Sequence, residues 1–246
     1  MRIGNSSNPM FSKNSLSRVY NTSTEGQMTI NGTVNKMLIA LFLVVVSAYF
    51  SWNYVLTGGN PSLLYVGAIG GFIVAIVTVF KAEWSHITTP IYSILEGLFL
   101  GGISALFSQV FNGIVFQAIF LTFGVAFAML FAYKSGLIKA TSGFKKGVIA
   151  ATGGIAIFYL ISIIAGLFGA NISLANMGLL GIGIQLVIVV VAALNLVLDF
   201  DRIEQMAQQG APKVMEWYGT FGILVTLIWL YLELLKLLAM IAGNRD

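Results

Sequence analysis

The run MGLLGIGIQLVIVVVAALNLVLDFDRIEQ occupies residues 177–205 and decides how the chain is read. From 177 to 198 it holds no charged side chain. Then Asp199, Asp201, Arg202 and Glu204 arrive together. An apolar stretch of about 20 residues is what a helix needs to cross the hydrocarbon core of a bilayer. The charges that close it are either a helix meeting water or, in the case of Asp199, a carboxylate kept within the membrane.

The rest of the chain supports the membrane reading. Of 246 residues, 58% are hydrophobic and 9% charged, and the mean hydropathy is +0.91. Soluble domains carry about 25% charged residues, so most of this surface must face something apolar. The long uncharged runs argue for helices, because a membrane barrel shows short alternating segments. With no Cys and a single His, His86, a thiolate site, a cysteine nucleophile and a His-pair zinc site are excluded from this chain alone. Ser104 and Ser162 lie in spans with no base in view and are expected to bond their own helix backbone. No enzyme activity and no bound cofactor are therefore expected. The formal charge of +4 makes no case for nucleic acid.

Seven spans are predicted, over 37–56, 62–80, 87–110, 114–133, 147–168, 177–199 and 217–242. The fold class is all-α, a polytopic membrane protein. A polar tail, 1–35, precedes the membrane domain, 36–246. The tail has no charged segment leading straight into an apolar core, so it does not read as a cleaved signal. A short surface helix is expected near Met10–Tyr20. Lys and Arg sort between alternate loops: Arg2, Lys13, Arg18 and Lys36 lie before the first span, Lys81 in the second loop, Lys134, Lys139, Lys145 and Lys146 in the fourth, and Arg202 and Lys213 in the sixth. The first, third and fifth loops have none. By the positive-inside rule the N-terminus faces the cytoplasm and the C-terminus, with Arg245, the outside. The cell's inner (plasma) membrane is the expected location. Gly67/Gly71 and Gly97/Gly101 have the spacing that lets helices approach closely.

Ionisable groups inside a span are costly and mark candidate sites. Glu96 lies about 13 Å into the third span at 1.5 Å per residue, with no cation near it in sequence. It must be protonated, hydrated or paired across the bundle. Asp199 ends the sixth span, where an acid opposes the helix dipole, and Asn195 stands one turn earlier on the same face. Asp201 and Glu204 read as the solvated helix exit. Glu233 and Lys236 are spaced to pair on one face of the seventh span, with Lys236 alternatively snorkelling outward. Gln185 is expected to bond another helix, and Trp229 to be core. His86, at the interface, is either tolerated there or a pH sensor.

Three segments resemble the Bax inhibitor family. LEGLFLGGIS (95–104) is similar to its third-span acid–glycine segment. LVLDFDRIEQ (196–205) is similar to its sixth-span end, where an Asp precedes an Ile by four positions, as Asp199 precedes Ile203. WLYLELLKLL (229–238) is similar to its seventh-span LYLD segment, with Glu233 at the acid. The tail SSNPMFSK resembles the bacterial branch. The resemblance implies a seventh helix surrounded by the other six. It also implies two carboxylates, Asp199 and Glu233, that share a proton and gate a pH-sensitive calcium leak. By this resemblance calcium is the transported ion, with those two acids as its ligands, and Glu96 and Asn195 line the path.

This sequence departs from the pattern in three ways. The second acid is Glu, Lys236 stands beside it, and the segment between the two acids is lengthened by MAQQGAPKVMEWYGTFG (206–222). The longer segment leaves Arg202, Glu216 or an acid on another helix as alternative partners of Asp199. His86, Lys236, Arg202 and Glu216 are candidate pH or charge modulators. Expected partners are lipid and calcium or protons. A proton- or cation-coupled carrier, or a non-transporting regulator of membrane stress, are the alternatives. A retinal protein is disfavoured by the N-terminus-inside charge pattern.

Overall fold

The computed structural model describes residues 26–169 and 172–244. The expected surface helix near Met10–Tyr20, the tail charges Arg2, Lys13 and Arg18, and Arg245 lie outside the described residues. Seven long helices follow in order: α1 (Ile30–Leu56), α2 (Ser62–Phe80), α3 (Ser85–Val110), α4 (Ile114–Lys134), α5 (Ser142–Leu167), α6 (Gly178–Gln208) and α7 (Met215–Gly243). Short 3-10 turns, Ala82–Trp84 and Leu174–Met177, lead into α3 and α6. Among the described residues there is no strand, only an isolated bridge between Gln27 and Pro212. All seven helices are long and apolar enough to cross a membrane.

Three boundaries differ from the expected spans, each for a local reason. α1 starts at Ile30, inside the stretch read as tail. The Thr29 side chain accepts the Gly32 amide hydrogen at 2.9 Å, which satisfies one of the orphan N–H groups of a polar first turn. α5 starts at Ser142, where Thr141 caps in the same way. α6 continues through DFDRIEQMAQ to Gln208, because Ile203 and Met206, three apart, pack into a buried cluster with Met28, Ala211, Met215 and Tyr218. Hydropathy ended this helix where its packing does not.

The chain forms two compact units. Of the described residues, the first comprises 26–105 together with Arg202–Leu224. The second comprises 106–201 and 225–244.

In the first unit, small residues admit neighbouring backbone. An added Cβ would stand 2.1 Å from the Ala48 carbonyl oxygen at Gly101, 2.5 Å from the Val44 carbonyl at Gly97, and 2.5 Å from the Leu95 carbonyl at Gly67. Both Gly pairs read from the sequence are thus helix–helix contacts. The chain entering α1 is tied to the chain entering α7: the Met28 amide donates to the Ala211 carbonyl at 2.7 Å, and Thr220 donates to the Thr33 carbonyl at 3.2 Å.

Burial differs sharply between helices. In α7, 56% of the most apolar window is buried, against 6% in α5. α7 is the most enclosed of the seven, and α5 presents Ile157, Leu160, Ile161, Ile163 and Ile164 outward. An outward apolar face of this length matches a lipid environment rather than water.

Candidate functional site

The second unit holds Glu233, which is 1% exposed. Helix periodicity sets Trp229 one turn before it and Lys236 one turn after it on the same face of α7. Both use that position. Trp229 Nε1 and Lys236 Nζ each donate to Glu233 Oε1 at 3.1 Å. The second oxygen is approached from other helices. Tyr159 of α5 donates its hydroxyl to Oε2 at 2.8 Å, and Gln185 of α6 donates Nε2 to Oε2 at 2.6 Å. Gln185 also donates to the Glu233 carbonyl at 3.1 Å. A carboxylate offers about four lone-pair sites, and here four donors take them.

Three of these donors, Tyr159, Gln185 and Lys236, line a cavity of about 570 Å³. Its other walls are largely apolar, including Phe107, Phe111 and Phe158. Lys236 also lies 4.6 Å from the centre of the Tyr159 ring and 3.4 Å from its hydroxyl. Its side chain is 42% exposed, whereas that of Glu233 is 2% exposed. The cavity wall is thus a cation in front of a buried anion. The expected i,i+3 pairing of Glu233 with Lys236 is present, and so is the expected bond from Gln185 to another helix. Trp229, expected to be plain core, is instead a donor to the acid.

Asp199 lies in the same unit and meets α7 elsewhere. Thr226 donates its hydroxyl to Asp199 Oδ2 at 2.5 Å. Thr226 precedes Glu233 by seven residues, about 10 Å along a helix, and Asp199 is not among the four partners of Glu233. The two acids are therefore held in separate hydrogen-bond sets, whose α7 members, Thr226 and Glu233, lie two turns apart. Asn195 turns toward α5, donating to Thr152 Oγ1 and to the Val191 carbonyl, both at 2.8 Å. Asp201, expected to be a solvated exit residue, instead pairs with Lys145 of α5 at 2.5 Å. Ser162 bonds its own helix, donating to the Phe158 carbonyl at 2.9 Å.

The remaining candidates lie in the first unit. Glu96 is 9% exposed, bonds the Tyr92 side chain one turn earlier, and packs against Gly71, where an added Cβ would stand 2.6 Å from Oε1. Glu216 is 2% exposed. It forms an ion pair with Lys36 and accepts from the Thr29 amide at 2.9 Å and the Thr29 hydroxyl at 3.1 Å. It is thus engaged with the start of α1. Arg202 is half-buried and within electrostatic reach of Tyr218. His86 is exposed, with Nδ1 3.1 Å from the Glu83 carbonyl of its own segment.

Sequence reading missed Tyr159, Thr226, Lys145 and Gly32. The first three act across helices, and no spacing rule links Tyr159 to Glu233. The signal for Gly32 was present in the T-x-x-G start of α1 but was masked by polarity. Among the described residues no three acidic or histidine side chains form a ready metal cage.

The family model described as Bax inhibitor 1 like matches residues 8–243. No curated protein matches the chain.

Proposed function

From the premise that this chain belongs to the Bax inhibitor 1-like family, we propose that it is a calcium leak channel whose flux rises with pH. A multi-pass protein of this family is a membrane channel or regulator, and the acids inside its helices favour the channel. The observation that carries the reading is Glu233, an acid 1% exposed whose partners line a cavity of about 570 Å³. Burying an acid is costly and is retained where an ion or proton uses it.

In this reading Asp199 of α6 and Glu233 of α7 act in series, two carboxylate steps rather than one dyad. Calcium takes six to eight oxygen ligands, from carboxylates, carbonyls, hydroxyls and water. A path must bind weakly enough to release, so one carboxylate at each step, completed by helix oxygens and water, suits it better than a cage. A carboxylate accepts a cation only after losing its proton, and in this reading Asp199 carries that step, because Glu233 is already an anion paired with Lys236; flux then rises with pH. In this reading the N-terminus faces the cytoplasm, which the sorting of Lys and Arg between alternate loops supports, and the membrane is the plasma membrane.

The test is calcium flux into proteoliposomes holding the purified chain, measured across a pH series. Wild type is expected to conduct more as pH rises, Asp199→Asn to flatten that dependence, and Glu233→Gln to lower the flux. Variants that conduct and titrate like wild type would place the gate elsewhere. Flux that saturates or follows a counter-gradient would make the protein a carrier. Absence of flux would make it a regulator.

A further inference from the structure

We propose that the Lys236 ammonium is a tethered cation occupying the cation site of Glu233, and that its withdrawal into the adjoining cavity admits a divalent ion to that carboxylate. The inference rests on the leak reading above and names what regulates its inner acid.

The argument begins with lone pairs. Glu233 has four donors on its two oxygens: Trp229 and Lys236 on Oε1, Tyr159 and Gln185 on Oε2. With about four acceptor positions on a carboxylate, none is left for a metal ion. A cation reaches this acid only if a donor leaves. Three of the four are held by their surroundings. Trp229 is rigid and one turn away on the same helix. Gln185 is 1% exposed and doubly bonded to Glu233, through its side chain and its carbonyl. Tyr159 is a rigid, uncharged ring with only two side-chain torsions. Lys236 differs in each respect. It alone is charged, its stem has four flexible carbons, and its side chain is 42% exposed on the cavity wall.

Electrostatics points to the same donor. With the ammonium 3.1 Å from Oε1, the site is neutral and a second cation would meet a like charge at contact distance. Once the ammonium swings into the cavity, the carboxylate keeps three neutral donors and regains an open position facing the cavity. Tyr159 makes the movement continuous, because its ring face, 4.6 Å from Nζ, attracts a cation. The calcium that replaces the ammonium finds the Glu233 carboxylate together with the Tyr159 hydroxyl oxygen, 3.4 Å from the ammonium it displaces, and cavity water, all hard oxygen ligands of the kind it prefers.

The experiment uses the full chain in lipid nanodiscs at mildly alkaline pH, titrated with terbium as an oxygen-seeking calcium probe. Terbium luminescence is excited through tryptophan, and Trp229 is the tryptophan bonded to Glu233. Lys236→Met, which keeps the apolar stem, is expected to bind terbium about tenfold more tightly than wild type, as removal of a contacting like charge requires. Lys236→Arg keeps the charge and is expected to stay near wild type. Adding Trp229→Phe to Lys236→Met is expected to abolish the luminescence gained, which localises it. If Lys236→Met does not fold, Lys236→Gln makes the same comparison. Equal terbium affinity in wild type and the neutral variants overturns the proposal. Gain in Lys236→Arg equal to that in Lys236→Met does so too. Calcium flux in the same variants keeps the two ideas apart. Flux without any terbium difference removes the plug and leaves the leak, while tighter terbium binding without flux in any variant keeps the plug and removes the leak.

Discussion

Thr226 donates its hydroxyl to Asp199 at 2.5 Å, two helical turns before Glu233 on the same helix. α7 therefore serves both acids, but through different residues. Asp199 is addressed by a threonine of α7, while Glu233 is part of α7 and is addressed by α5 and α6.

Loss of the Thr226 hydroxyl should be felt at Asp199 and not at Glu233. Thr226→Val keeps the shape and removes the donor. A hydrogen bond to a charged group contributes about 1.5–3 kcal/mol, so Thr226→Val is expected to lower stability by that order, and Thr226→Ser to restore it. Detergent-titrated unfolding measures this. Terbium binding at Glu233 is expected to stay unchanged, and a change there would show that the two sets are coupled.

Gly32 has no room for a side chain. A Cβ at this position would stand 2.1 Å from Glu216 Oε1, and that carboxylate is held by Thr29 and Lys36. Gly32→Ala is expected to cost about 1–3 kcal/mol, as overpacking does. Glu216→Asp, one methylene shorter, should relieve part of it. A double-mutant cycle in which the two losses simply add would refute direct contact.

Two helix glycines should respond with opposite sign. At Gly101 an added Cβ meets the Ala48 backbone at 2.1 Å, whereas at Gly124 nothing lies within 4 Å. Gly101→Ala is expected to destabilise by about 1–3 kcal/mol because backbone cannot yield as a side chain can. Gly124→Ala is expected to be neutral or to stabilise by up to about 1 kcal/mol through helix propensity. Unfolding midpoints of the two variants decide it, and equal effects would contradict the contact.

The two ion pairs to lysine from other helices should differ as their burial does. Side-chain exposure is 17% and 2% for Lys36 and Glu216, against 32% and 18% for Lys145 and Asp201. Glu216→Gln is expected to cost about 3 kcal/mol, as breaking a buried pair does. Lys145→Met is expected to cost about 1 kcal/mol or less. Raising salt should weaken the Lys145 pair more. A larger loss at Lys145 than at Glu216 would reverse the assignment.

Seven helices, their order and most of their ends were legible in the chain, because hydrophobic length and the sorting of Lys and Arg act locally. Glu233 with Lys236 was legible for the same reason, since three residues on one helix is a fixed geometry. The start of α1 and the extension of α6 were not. A polar first turn held by Thr29 and Glu216, and a polar last stretch held by Ile203 and Met206, owe their helicity to contacts far away in sequence. Hydropathy averages such contacts out.

By itself the sequence determined that this protein crosses a membrane seven times and that a few acids lie within those crossings, because the bilayer imposes length and charge rules on each segment independently. Only the tertiary structure decided what each acid touches: Thr226 for Asp199, four donors for Glu233, and the threshold of α1 for Glu216. Hydrogen-bond partners depend on which helix faces which and at what height, and no segment carries that information alone.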